Sequence, residues 1–411
     1  MFVNIFFLKK VIILKKIFLV ICSMLILFSS CSFDNEEDIV LSKKNKDTKI
    51  IATWITYNEI IELIKSVENE DEVKDIVENK IITLKDYSIN TIFLHVRAFD
   101  DCFYKSNVFP INSYCLSETG TFKFDVLQIF IDVCKSYEIE IHAWLNPYRI
   151  RNDSNINAIN SETLATKFVD SQENEGLIVT ENSIYYNPAN TDVQEYILRG
   201  VREIVENYEV KGIHIDDYFY PTQSENIDKL IYTKYLKNGG VLSLADFRRQ
   251  HINTLISSIF TLIKNFDSSI IFSVSPSGDI KKNYDESYAD VILWLKEEGY
   301  ADYIIPQLYF GYEHEFKSFQ NVLNEWLNCG DSSKLIIGLA LYKSGKIDEY
   351  AMSGENEWIN NHDIISRQIN DSINNSCSGY AIFSASYMYN ENDNIALYNE
   401  CNNMKKTLEI L

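Results

Sequence analysis

The feature that most constrains this chain is an alternation. Short β-branched runs are each followed by a longer amphipathic stretch, and the pair repeats eight times from Ile50 onward. The strand-like runs are Ile50–Tyr57, Thr91–Arg97, Glu140–Asn146, Gly212–Tyr218, Ile270–Pro276, Tyr303–Tyr309, Leu335–Leu341 and Tyr380–Ser386. Helical stretches are expected at about 59–86, 124–137, 191–208, 246–266, 287–299, 315–328, 358–374 and 393–408. In the first of these Ile60, Ile61, Leu63, Ile64, Val67, Val73, Ile76 and Val77 recur with a period near 3.6. Eight strand–helix units is the count of an α/β fold of the (β/α)8 TIM-barrel type. A doubly wound sheet more often stops at five to seven strands, and no GxGxxG follows the first strand. No internal repeat of fixed period is present, so one domain fits better than two. Three connections at strand C-termini are long, 98–123, 147–190 and 219–245, and predict a cleft walled by the loops after strands 2, 3 and 4.

The N-terminus reads differently. Lys9, Lys10, Lys15 and Lys16 precede the apolar run Ile17–Phe28, then Ser29-Ser30-Cys31. This predicts a secretory signal over 1–30 whose end resembles a bacterial lipobox, with Cys31 as the lipidated residue. A polar tether over 31–48 and a barrel over 49–411 would follow, anchored outside the cytoplasm to the cell membrane. At 46% hydrophobic and 24% charged residues the composition is that of a globular chain. A net charge of −21 leaves little attraction for nucleic acid. Outside the signal, Cys102, Cys115, Cys134, Cys329, Cys377 and Cys401 include no CxxC. Cys102 and Cys115 flank one loop and are either bridged or separate thiols.

The strand ends hold the informative residues. In Gly212-Ile213-His214-Ile215-Asp216-Asp217-Tyr218 the polar His214, Asp216 and Tyr218 share one parity, while Ile213 and Ile215 take the other. Buried parallel strands are normally apolar on both faces, so a polar stripe is abnormal. Asp216 is the leading candidate for a catalytic carboxylate. Asp217 has the opposite parity, but strand ends bend, and it remains a candidate. After strand 2, Arg97 falls at the top and Asp101 a few residues into the loop, where it could be a second carboxylate. Strand 3 ends His142-Ala143-Trp144-Leu145-Asn146-Pro147-Tyr148-Arg149. Trp144 and Tyr148 offer flat apolar faces to a sugar, Asn146 and Arg149 hydrogen bonds. Strand 6 ends Pro306-Gln307-Leu308-Tyr309, again a polar donor and an aromatic. No HExxH, GxSxG or P-loop occurs, and neither a metal nor a cofactor is expected. Strand-end acids with aromatics and amides are the means of glycoside hydrolysis.

Four segments carry a family resemblance: Asn90–Arg97 with Asp101 and Tyr104, His142–Arg149, Gly212–Pro221 and Asp302–Tyr309. Over about Ile50 to Lys346 the chain resembles the glycosyl-hydrolase-like family 10 of bacterial envelope lipoproteins and secreted proteins. His95 stands where that pattern leads one to expect Gln, and Ala98-Phe99-Asp100 replaces a more usual Pro-x-Gly. The resemblance implies a glycosidase barrel with Asp216 and Asp217 catalytic and Asp101 and Arg97 supporting. Arg97, Trp144, Asn146, Tyr148, Arg149, His214, Tyr218, Gln307 and Tyr309 would contact a polysaccharide. Some relatives look like hydrolases of peptidoglycan strands stripped of peptides, which suggests an envelope-anchored enzyme acting on cell-wall glycan or a related amino-sugar polymer. An α-glucan or exopolysaccharide hydrolase, and an inactive glycan-binding scaffold, are the alternatives.

Overall fold

The computed structural model describes residues 49–169 and 175–409. The predicted signal, the tether and Cys31 lie outside the described residues. Eight parallel strands form one sheet: β1 (Ile50–Ile55), β2 (Thr91–Arg97), β3 (Glu140–Leu145), β4 (Gly212–Ile215), β5 (Ile271–Val274), β6 (Tyr303–Ile304), β7 (Ile336–Leu339) and β8 (Gly379–Ile382). Their spatial order is β7-β8-β1-β2-β3-β4-β5-β6. The seam between β6 and β7 closes through the isolated bridges Ile304–Leu335 and Gln307–Gly338. There Gly338 donates to the Pro306 carbonyl at 3.0 Å. A Cβ on Gly338 would approach that carbonyl at 2.9 Å and the Trp54 ring at 3.3 Å, so only glycine lets the seam close. The chain is a (β/α)8 barrel.

Helices begin where side-chain caps supply an acceptor. Asn69, Asp125, Asn190 and Ser243 each accept from the backbone N–H three residues on. The apolar stripes then face the strands, as with Val73, Val77, Ile81 and Leu84 on the helix Glu70–Lys85. The expected helix over 59–86 is in fact two, Tyr57–Ile64 and Glu70–Lys85, because Asn69 caps a fresh start. Most strands end earlier than their β-branched runs, since the last residues of each run turn out of the ladder into the barrel mouth. The long loops carry structure of their own, in the one after β2 a single 3-10 turn, Ser113–Cys115. A three-stranded antiparallel sheet (Arg149–Arg151, Ile184–Tyr186, Leu177–Val179) fills the loop after β3, and the helix Lys229–Lys237 lies in the loop after β4. The possible Cys102–Cys115 bridge is not formed: none of the six described cysteines is in a disulfide, and the Cys102 thiol donates to the Tyr104 carbonyl at 3.3 Å.

Two apolar layers result. Ile213 and Ile215 join the large core between strands and helices. Ala52, Trp54, Phe93, Trp144, Ile305, Ile336 and Ala381 fill the barrel interior. His214 stands among them, stacked on Phe93 at 4.2 Å.

Candidate active site

At the C-terminal mouth of the barrel lies a cavity of about 290 Å³. Trp54, Tyr57, His95, Trp144, Arg149, Asp216, Asp217, Tyr218, Ser275, Gln307, Tyr309 and Phe383 line it together with Thr56 and Asn58. These come from the C-terminal ends of seven of the eight strands, all but β7. Of the residues singled out in the sequence, Trp144, Arg149, Asp216, Asp217, Tyr218, Gln307 and Tyr309 are brought together here.

Asp216 is buried just past β4, where its Oδ2 accepts from the Trp144 indole at 3.1 Å and its Oδ1 has no partner. Burial, reinforced by the charge of Asp217, pushes its carboxyl well above the ordinary range. Asp217 is partly exposed and is also raised by burial, against which a hydrogen bond from Gln307 favours its charged form. The Gln307 amide also donates to the Ser275 carbonyl at 3.1 Å, which fixes its direction. The pair therefore combines one carboxyl pushed toward the protonated form with one supported as a carboxylate.

Arg149 is a cation held at the cavity. Its guanidinium lies between two rings, 4.5 Å from Phe99 and 4.2 Å from Tyr218, and its backbone is pinned by pairing with Tyr185 in the small sheet. Its charge opposes the rise at both Asp216 and Asp217.

Trp144 is at once floor and packing. One face is covered by His95, parallel to within 8° at 3.5 Å. The His95 Nε2 faces the Asn146 Oδ1 at 3.1 Å, while the Asn146 amide nitrogen donates to the Ala98 carbonyl at 3.1 Å. The imidazole therefore carries its proton on Nε2. Burial and the Arg149 charge hold His95 well below the ordinary histidine range, hence neutral.

The other sequence candidates lie elsewhere. His214 is beneath the cavity, accepting from the Trp54 indole at 3.0 Å and facing the Ser273 hydroxyl at 2.8 Å. Arg97 is fully buried. It donates to the Asn146 carbonyl at 2.5 Å and to Asp100, not Asp101, at 3.0 Å. Asn146 and Tyr148 are buried and do not line the cavity. Asp101 opens into a neighbouring cavity of about 200 Å³. A wider groove of about 1020 Å³ between Leu177–Val179 and segment 221–231 receives none of the candidate residues from the barrel-strand ends.

Sequence reasoning missed Trp54, Tyr57 and Phe383. Trp54 has the interior parity and stands one residue before the end of β1, which is a usable signal. Tyr57 and Phe383 follow the ends of β1 and β8, which Glu59 ties together: it accepts from the Thr56 backbone at 2.6 Å and from the Ser386 backbone at 2.5 Å. Among the described residues no group of three or more His, Cys, Asp or Glu side chains is placed to hold a metal ion.

The family model for Glycosyl hydrolase-like 10 matches residues 49–359. The chain belongs to that family. Among curated relatives, Glycosyl hydrolase YngK of Bacillus subtilis is 27% identical over 328 residues, 74% of this chain and 62% of its own length. Glycosyl hydrolase DigH of Escherichia coli K12 is 29% identical over 293 residues, 65% of this chain and 66% of its own. The chain thus spans less than two thirds of each. Among solved structures, the PgaB (BpsB) glycoside hydrolase domain of Bordetella bronchiseptica superposes with a TM-score of 0.55 at 10% identity, covering 87% of this chain and 99% of that one. Alpha-L-fucosidase isoenzyme 2 of Paenibacillus thiaminolyticus gives 0.55 at 11%, covering 88% and 49%. At such identities these two are likenesses of fold. Within the glycosyl hydrolase-like 10 family match fall all the residues that line the mouth except Phe383.

Proposed function

We propose that this chain is an envelope-anchored glycoside hydrolase that cleaves glycan strands, with peptidoglycan or a related amino-sugar polymer as substrate. The observation that carries the reading is the Asp216–Asp217 pair, two desolvated carboxyls at the C-terminal end of a barrel strand inside an aromatic cavity. Asp216, kept protonated by burial and by its neighbour, gives its proton to the glycosidic oxygen as the bond to the leaving sugar breaks. Asp217, held by Gln307, stabilises the positive charge that develops at the anomeric carbon, as a nucleophile or as the base for a water. Trp144, Tyr218 and Tyr309 supply flat surfaces for sugar rings. The anchoring rests on the lysine-flanked apolar run that ends at Cys31.

The test is incubation of the purified chain with peptidoglycan strands, with and without peptides, and with α-glucan. New reducing ends on peptide-free strands are the expected result. Reducing ends from α-glucan alone would change the substrate class. Binding without cleavage of any of them would make the barrel a scaffold.

A further inference from the structure

We propose that the cavity beside the Asp216–Asp217 site is a second sugar-binding subsite, in which Asp101 binds a pyranose ring rather than reacting with one. The proposal rests on the glycosidase reading and extends it to an enzyme that grips its polymer over more than one ring.

The two cavities are neighbours separated by a thin wall. Phe99 lines the outer one, and its ring sits edge-on to Tyr57 of the central cavity, 5.2 Å between centroids. The Arg149 guanidinium lies 4.5 Å over the same Phe99 ring and covers Tyr218 on its other side. A chain leaving the central cavity along Tyr57 or Tyr218 therefore meets Phe99 next. Beyond it Asp101, Arg151, Asn152 and Asn160 bring a carboxylate, a guanidinium and two amides around a space of about 200 Å³. One flat ring with polar groups of both donor and acceptor type suits a pyranose, whose faces are apolar and whose rim is hydroxylated.

Asp101 is built for holding. Its Oδ2 accepts from the Asn112 amide at 2.8 Å, and the side chain is partly exposed to the outer cavity. It does not line the central cavity, so it cannot meet the glycosidic bond that Asp216 and Asp217 flank. Burial raises its carboxyl to about 6, so near neutral pH it is largely a carboxylate able to accept from sugar hydroxyls.

Two variants test this. Asp101→Asn keeps the size and the acceptor for Asn112. Ala158→Met fills the cavity from an exposed position on its rim. Each is compared with the wild-type chain on peptide-free peptidoglycan strands and on fragments of them graded by length. In the wild type KM should fall as fragments grow long enough to reach the outer cavity. In both variants that fall should disappear, leaving KM on long strands about tenfold higher and kcat within about twofold, the size of one lost hydrogen bond to a charged group. A loss of kcat at unchanged KM in Asp101→Asn would make Asp101 a reacting group and overturn the proposal. So would variants that follow the wild type at every length. If the wild-type chain cleaves no strand, the glycosidase reading falls, and calorimetric titration with the same strands decides the subsite. Affinity about tenfold weaker in both variants keeps it, and equal affinity removes it.

Discussion

Asp100 and Asp216 are both buried past the ends of barrel strands, 6% and 3% exposed, yet their surroundings are opposite. Asp100 receives the Arg97 guanidinium at 3.0 Å and the Tyr186 hydroxyl at 2.5 Å, and Arg97 in turn ties down the Asn146 carbonyl. Burial raises its carboxyl, but the Arg97 charge and the donated hydrogen bonds oppose that rise, and the group joins the loop after β2 to the loop after β3. Asp216 has one indole donor, one bare oxygen and a second carboxyl as its neighbour. A satisfied buried acid holds the architecture. An unsatisfied one, next to like charge and facing a cavity, is placed for proton transfer.

The largest effect should come from breaking the second of these. Asp216→Asn keeps size and the indole contact, so the melting temperature should stay near that of the wild type while turnover falls at least ~10³-fold, within the reach of a general acid. Glycan cleavage and a melting curve on the same preparation check it. If instead Asp217→Asn abolishes turnover and Asp216→Asn spares it, the acid is Asp217.

Asp100→Asn should show the reverse pattern. It leaves the buried Arg97 charge without its counter-ion, a loss of about 3 kcal/mol of stability. Denaturant unfolding measures the loss, and kcat per folded molecule should change far less than in Asp216→Asn. A variant as stable as the wild type would show that Arg97 is neutralised by some other route.

The distinction between these two acids was only half visible beforehand. The Asp216 position was legible because a polar stripe in a parallel strand has no packing explanation. Asp100 and Asp101 are adjacent in an irregular loop, and nothing local decides which of them meets Arg97. That choice is made by Tyr186, 86 residues away in a sheet whose three-residue strands have no period to detect. Trp54 and Phe383 escaped for a related reason. An aromatic near the end of an apolar strand reads as core, and only closure of the barrel through β8 and β1 brings these two rings within 5.8 Å at the mouth. The eight-unit order survived because it rests on long amphipathic helices. Strand ends did not, because their last residues leave the ladder to make the site.

A third difference lies along the barrel axis. Below the mouth His142 is buried with neither ring nitrogen hydrogen-bonded, and burial lowers it to about 3. In the unfolded chain a histidine takes up its proton near pH 6.5. The folded-state value is depressed, so the stability it contributes is present above pH 6.5 and is lost as pH falls toward 3. Between pH 7 and pH 5 the loss from this residue is about 2 kcal/mol. His142→Leu should flatten the acid side of the stability profile by that amount. Burial lowers His95 and His214 as well, so part of the slope should remain. Denaturant unfolding at the two pH values checks it, and an unchanged slope would remove His142 as its source.

The smallest expected effect bears on how the reactive acid is held. Asp216 depends on the Trp144 indole, and Trp144 depends on the parallel stack with His95, which Asn146 orients. His95→Leu removes both the flat face and the donor to Asn146. The indole then loses its fixed direction, and the bond from Trp144, which favours the charged form of Asp216, weakens. The Asp216 carboxyl should rise further, so the alkaline limb of the kcat profile should move up while kcat at its optimum falls about tenfold, the equivalent of one hydrogen bond. A purely structural role would lower stability without moving that limb. His95→Gln restores a planar group that can lie on the indole and an N–H for Asn146, and it is the residue the family resemblance leads one to expect here. It should return both the limb and most of the rate. A folded His95→Leu chain with the wild-type pH profile would mean that the barrel interior alone, through packing against Trp54 and Phe93, fixes the indole that serves Asp216.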